Sequence, residues 1–134
     1  MIIGLQHVAL VVSDLEPARE FYGEHLGMEE LPRPASFGFG GAWFHAGGRE
    51  IHLLAAADTD ARAGWDGRGP SYDVGRTTHV AFEVDDLQAE ITRLGAAGVE
   101  PCSELRERGN GVIQIYYEDP DLHLIELFQY TARG

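Results

Sequence analysis

The chain contains a near-copy of its own opening. His7-Val8-Ala9-Leu10-Val11-Val12-Ser13-Asp14-Leu15 returns as His79-Val80-Ala81-Phe82-Glu83-Val84-Asp85-Asp86-Leu87, with six of nine positions identical. Each copy closes in an apolar segment, Glu50-Ile51-His52-Leu53-Leu54 in the first and Leu124-Ile125-Glu126-Leu127-Phe128 in the second. A repeat of this length limits the architectures available, because one supersecondary unit must be built twice and each copy must bury its apolar face. In the repeat frame His7 aligns with His79 and His52 with Glu126.

The pattern within each copy reads as βαβββ. Ile2 to Val12 alternates, with His7, Ala9 and Val11 on one face and Val8, Leu10 and Val12 on the other. Both faces are apolar, which predicts a strand buried on both. Ser13 or Asp14 caps a helix with Pro17 in its first turn, Leu15, Ala18, Tyr22 and Leu26 form its stripe, and Gly27 ends it. In the second copy Asp85 or Asp86 caps, Leu87, Ile91 and Leu94 form the stripe, and Gly98 ends it. Three strands are expected after each helix: Glu29–Leu31, Phe37–His45 and Glu50–Ala55 in the first copy, Val99–Leu105, Val112–Glu118 and Leu122–Tyr130 in the second. Gly47-Gly48, Asn110-Gly111 and Asp119-Pro120-Asp121 supply the turns. The expected fold is α+β, two tandem βαβββ modules within a single domain over 1–134. Module one spans about 1–57, a Gly-, Asp- and Arg-rich linker about 58–76, and module two about 77–130.

Four metal-ligand residue types thus fall at repeat-equivalent points. His7 and His52 are 45 residues apart, His79 and Glu126 47, as expected if each pair sits on the first and last strands of one module. A lone histidine on an apolar strand is usually a hydrogen-bonded core residue, but four repeat-related positions are not independent of one another. Three imidazoles and a carboxylate suit Zn, Ni, Co, Mn or Fe(II), whereas Mg or Ca would want oxygen throughout. Two such modules paired as a pseudo-dimer would converge the four on one cleft, leaving open positions on a six-coordinate ion. His25, His45 and His123 lack repeat partners and read as structural or solvent-facing.

Composition excludes several alternatives. The formal net charge of −12 argues against nucleic acid or an anionic membrane face as partner. All 10 basic residues are arginine, so no lysine Schiff base can form on this chain. The single Cys102, read as part of a strand after Pro101, rules out an intrachain disulfide and a cysteine-cluster zinc site. No apolar run approaches a membrane span and Met1-Ile2-Ile3-Gly4 carries no basic leader, so a cytoplasmic protein is expected.

The two βαβββ units, their His-Val-Ala openings, Phe21-Tyr22 with Leu26-Gly27-Met28 at the first helix end, and Asp119-Pro120-Asp121 before Ile125-Glu126-Leu127 together resemble the vicinal oxygen chelate superfamily of glyoxalases, bleomycin-resistance proteins and extradiol dioxygenases. The resemblance covers essentially the whole chain. It implies modules forming a curved mixed sheet around a metal cleft, a homodimer, and a small-molecule substrate that chelates the ion through two adjacent oxygens. Carried over, His7, His52, His79 and Glu126 match the four metal positions of glyoxalase I, which typically has Glu where this chain has His52. Glu126 is therefore the carboxylate left to act as catalytic base. The implied activity is a metal-dependent lyase or isomerase. Two alternatives stand beside it: an Fe(II) extradiol-type dioxygenase using His7, His79 and Glu126, and a non-catalytic resistance protein that only binds its ligand. Fosfomycin-resistance thiol transferases share the layout, with Tyr116 where they contact substrate, but Ala9 replaces their Thr and their Lys is missing. Asp121-Leu122 departs from the usual Asp-Gly.

Phe39, Trp65, Tyr72, Tyr116 and Arg106 are candidates for lining the substrate pocket, with Phe37, Trp43 and Phe44 as further aromatic candidates; for Phe37 and Trp43 sheet core is the expectation. Arg33, Arg106 and Arg108 are candidates to grip a carboxylate, against the plainer expectation of a solvated face for each.

Overall fold

The computed structural model describes residues 1–56, 74–109 and 111–131. The chain divides into two compact units, Met1–Gly67 and Arg68–Gly134. The first contains β1 (His7–Val12), α1 (Leu15–Arg19) running into a π-helical turn over Glu20–His25, then β2 (Glu29–Leu31), β3 (Gly41–Ala46) and β4 (Arg49–Ala55). The second contains a 3-10 turn at Val74–Arg76, β5 (His79–Glu83), α2 (Leu87–Ala96), β6 (Arg106–Arg108), β7 (Val112–Glu118) and β8 (Leu124–Tyr130). Each unit folds as βαβββ into a four-stranded mixed sheet, in the orders β1-β4-β3-β2 and β5-β8-β7-β6. The expected α+β class and the tandem modules are as observed.

Register explains why the repeat carries chemistry. The one parallel pair in each sheet joins its first and last strands, aligning Ala9 with His52 in the first unit and Ala81 with Glu126 in the second. His7 and His79 stand two residues earlier on their strands, hence on the same face as those alanines. In both units a histidine is thereby set diagonally beside the last-strand ligand type, with a methyl group in the directly paired position.

Each helix packs in its own unit and is capped by its own residues. Asp14 accepts from Glu16 N and Asp86 from Ala89 N, capping the two helices. Gly27 (φ 77°) and Gly98 (φ 81°) take the left-handed conformation that ends them. Ala18, Phe21 and Tyr22 bury against one face of the first sheet with Leu10, Val12, Phe44, Ile51 and Leu53. Leu87 and Leu94 are buried in the second unit along with Val112, Ile115, Tyr117, Ile125 and Leu127. No helix among the described residues is long and apolar enough to cross a membrane.

Several expectations need correction. The first strand begins at His7 rather than Ile2, because its partner β4 begins only at Arg49; Met1, Ile2, Ile3 and Leu5 are exposed. Nor is β1 buried on both faces. Leu10 and Val12 are buried, while His7 and Ala9 on the opposite face are exposed. Val99–Leu105 is not a strand. Pro101 cannot donate to a ladder, and the Ser103 hydroxyl, rather than a main-chain carbonyl, accepts from Tyr116 N (2.9 Å). Cys102 is exposed and outside any strand, though its N–H donates to Tyr116 O. The third strand starts at Gly41 and the last at Leu124, each later than its sequence pattern indicates. Finally, α1 widens into a π turn in which Leu26 N donates to Phe21 O (2.8 Å), a spacing of five residues, and this brings adjacent Phe21 and Tyr22 both into the core.

Candidate metal centre

In the first unit three rings form a column on the face away from α1. His7 stacks on His52 (4.0 Å between centroids, 10° between planes), and His52 stacks on Trp43 (4.3 Å, 9°). Trp43 is there because β3 pairs it directly with His52. Two hydrogen bonds set the ring orientations. His7 Nδ1 meets the Gln6 side-chain oxygen, and His52 Nε2 meets Glu50 Oε1 at 2.8 Å. The bond to His52 holds the Glu50 carboxyl below its ordinary range, so it is an ionised acceptor and the proton sits on His52 Nε2. The free lone pairs are then Nε2 of His7 and Nδ1 of His52.

In the second unit the pair is an imidazole and a carboxylate. His79 Nδ1 donates to the Thr77 carbonyl (2.6 Å), which can only accept, so Nε2 carries the lone pair. That nitrogen lies 3.8 Å from Glu126 Oε2. Glu126 is only 3% exposed, and Tyr116 OH donates to its Oε1 at 3.3 Å. Burial, and next the charge of Glu126, push the Tyr116 phenol above its ordinary value and keep it a proton donor. Gln114 Nε2 reaches the same hydroxyl at 3.5 Å, and the Tyr116 ring stands edge-on to His79.

These donors fit a divalent transition ion. Among the described residues this buried carboxylate has one neutral hydrogen bond and an imidazole 3.8 Å away, and a cation is the partner such a group needs. A separation of 3.8 Å between His79 Nε2 and Glu126 Oε2 is too long for a hydrogen bond, yet lets both reach one ion at about 2.0–2.2 Å. Imidazoles oriented through their other nitrogen by an oxygen acceptor are a usual second shell of metal ligands. Among the described residues no three His, Cys, Asp or Glu side chains gather as a ligand group.

The other expected residues are scattered. Arg106 is exposed on β6, in register with Gln114, and its charge is felt at Tyr116. Phe39 is 49% exposed and lies in the loop before β3, while Trp65 and Tyr72 lie outside the described residues. Phe37 is 42% exposed rather than core, because β3 begins after it. His25 lies 3.5 Å from Glu20, and His45 accepts from Gly48 N, consistent with structural roles. Sequence reasoning missed Glu50 and Gln114. Glu50 was legible in principle, since it shares a strand face with His52 two residues on, but it has no repeat partner of its type.

A family model for the glyoxalase/bleomycin resistance protein/dioxygenase superfamily matches residues 4–127. The chain belongs to this superfamily. Within it, the chain is similar to glyoxylase I 4 of Arabidopsis thaliana, at 28% identity over 92% of this chain and 69% of that protein. It is also similar to metallothiol transferase FosB of Shouchella clausii, at 33% identity over 98% of this chain and 83% of that one. Among solved structures, a variant of fosfomycin resistance protein FosX from Listeria monocytogenes, complexed with Mn(II) and 1S,2S-dihydroxypropylphosphonic acid, matches with a TM-score of 0.74 and 26% identity, covering 98% of this chain and 95% of that one. These superfamily matches support a metal-dependent enzyme.

Proposed function

We propose that the protein is a metal-dependent lyase or isomerase of the glyoxalase type, with His7, His52, His79 and Glu126 as metal ligands and Glu126 as catalytic base. The observation that carries this reading is the buried Glu126 carboxylate, one oxygen held by Tyr116 and the other facing His79 Nε2. Bound among these residues, a Zn, Ni, Co, Mn or Fe(II) ion supplies Lewis acidity to two neighbouring oxygens of a small substrate. The chain's own residues do the rest. Tyr116 fixes Oε1, so the substrate's carbon-bound proton passes to and from a carboxylate that is already oriented. His52 is a poor proton acceptor here, because Nε2 is engaged with Glu50 and Nδ1 is the atom left to ligate. A carbon acid beside a carbonyl ionises at neutral pH only when charge developing on oxygen is stabilised, and general acid–base assistance adds about 10²–10⁴-fold to that.

Similarity to metallothiol transferase FosB raises thiol transfer as another reaction. Ala9 in place of the Thr of such transferases, and the absence of any lysine, weigh against it.

Each unit contributes two ligands, so a full set takes one module of each kind, from a single chain or from both chains of a homodimer. Mixing a His7→Ala chain with a Glu126→Ala chain separates the cases: only cross-chain assembly regenerates an intact site. Elemental analysis tests the ligand set. Wild-type protein should hold about one transition-metal ion per chain, and full occupancy in both His7→Ala and His79→Ala variants would refute the assignment. A substrate screen under argon and in air, on Fe(II)-, Ni(II)- and Zn(II)-loaded protein, tests the reaction. Isomerase activity under argon is expected; activity confined to Fe(II) with O₂ would make the protein a dioxygenase instead.

A further inference from the structure

Arg33 differs from the paired arginines of this chain. In Arg19, Nε and Nη2 take the two oxygens of Glu30 (2.6 and 3.2 Å), the side-on fork that matches a carboxylate. In Arg93 the same two nitrogens meet Glu90. In Arg33 these two nitrogens are buried and, among the described residues, have no hydrogen-bond partner. Acidic partners are not scarce, with 22 Asp and Glu against 10 Arg. Arg33 is surrounded by aromatics instead: its guanidinium carbon lies 4.7 Å from the Phe37 ring centroid and 4.9 Å from that of Phe39. Cation–π attraction compensates the charge but gives the N–H groups no acceptor, and buried donors without one are costly. The expectation of a solvated Arg33 is thus not met.

The two phenylalanines are 42% and 49% exposed, on a loop over residues 32–40 that has no regular structure. Phe37 packs edge-on against Trp43 (5.8 Å), and Trp43 backs His52. The guanidinium therefore joins the module-one half of the candidate metal centre through unbroken aromatic contact.

We propose that Arg33, with Phe37 and Phe39, is a subsite for the carboxylate of an aromatic organic acid. The ligand's carboxylate would accept from Nε and Nη2, and its ring would take the exposed apolar surface of the two phenylalanines. Entry requires those side chains to swing aside, which an irregular exposed loop permits. This deepens the proposed function by naming the class of substrate, and as a statement about substrate it rests on that reading.

Calorimetric titration of the full-length protein with phenylacetate and with the neutral isostere phenylacetamide tests the subsite. A charge-assisted fork should favour the acid by about tenfold or more. Arg33→Gln should abolish the preference and Arg33→Lys, which keeps the charge without the fork, should retain part of it; thermal melts report whether each variant is folded. A carboxylate can also bind a metal, so the titrations are repeated with chelator and on His79→Ala protein. An Arg33-dependent preference that survives there supports the subsite whatever becomes of the metal reading. A preference that vanishes with chelator but is untouched by both Arg33 variants overturns the subsite and leaves the metal reading standing. Absence of any preference in the wild-type protein also overturns it.

Discussion

The two units place their candidate ligands at the same register positions and surround them differently. In the first, two imidazoles lie in a ring column against Trp43, and the carboxylate of the neighbourhood, Glu50, serves to orient His52. In the second, the last-strand position is itself a carboxylate, buried and held by the Tyr116 hydroxyl. A duplicated backbone therefore fixes where donors stand, while the residues flanking them decide whether a donor offers a lone pair or a charge. Of the four candidate ligands, Glu126 alone is a carboxylate, and so a candidate for both metal ligand and proton acceptor.

The largest effect should come from removing that asymmetry at its source. Glu126→Gln keeps an oxygen and the Tyr116 contact but cannot accept a proton, so turnover on the substrate found by the screen should fall by about 10²–10⁴-fold. Elemental analysis should show some metal retained. Unchanged turnover would mean that the catalytic base lies elsewhere, with Glu50 the first place to look.

The flanking residues should give the next largest effects. Orienting partners of metal ligands are typically worth about 10–100-fold in metal affinity. Glu50→Gln takes the charge off the acceptor that orients the His52 ring, and Tyr116→Phe removes the hydrogen bond to Glu126; each should weaken metal binding within that range in a competition assay with a colorimetric chelator. Tyr116→Phe should also slow turnover, because it disturbs the base, whereas Glu50→Gln should leave turnover of metal-saturated protein nearly intact. Equal losses of turnover would break the division of labour between the two units.

Where the repeat extends, the sequence was a good guide to structure. Both helices, their Asp caps and terminal glycines, and the strands carrying His7, His52, His79 and Glu126 could be read from period and spacing. What escaped depends on partners distant in sequence. The apolar run from Ile2 looks like strand, but a strand exists only opposite another, and β4 begins too late to pair with it. Val99–Leu105 has strand composition, yet Pro101 and the Ser103 hydroxyl replace main-chain pairing with a local arrangement. Glu50 and Gln114 act through side-chain contacts that have no counterpart in the other copy, so comparing the copies could not reveal them. Arg33 gave no signal beyond being an arginine near a loop; its meaning lies in a hydrogen bond it fails to make.

The sheets also differ at the entry to their third strands. β3 opens on Gly41, where an added Cβ would lie 2.5 Å from the Leu53 carbonyl oxygen and 2.9 Å from Arg33 Nε. β7 opens instead on Val112, whose side chain is fully buried. Gly41→Ala must push the backbone or the guanidinium aside, and should cost about 1–3 kcal/mol in chemical denaturation. A neutral result would show that the packing of Arg33 against β3 is loose.

The smallest expected effect concerns the turns into the last strands. In the first unit Gly47 (φ 55°) and Gly48 (φ 85°) take the left-handed conformations of the β3–β4 hairpin. In the second, Asp119 Oδ1 accepts from Asp121 N and His123 N, and Leu122 is forced to a φ of 66°. A side chain in that region costs about 1–2 kcal/mol, and glycine escapes this while losing about 0.5–1 kcal/mol more chain entropy on folding. Leu122→Gly should therefore stabilise the protein by roughly 0.5–1 kcal/mol, the balance of those two terms. Leu122→Ala is the control: it removes the same half-exposed side chain but keeps a Cβ at positive φ, so it should bring no gain. If both variants prove equally destabilised in thermal melts, the Leu122 side chain packs more strongly than its φ strains. The second unit would then have traded the glycine of its turn for a contact rather than merely tolerated its loss.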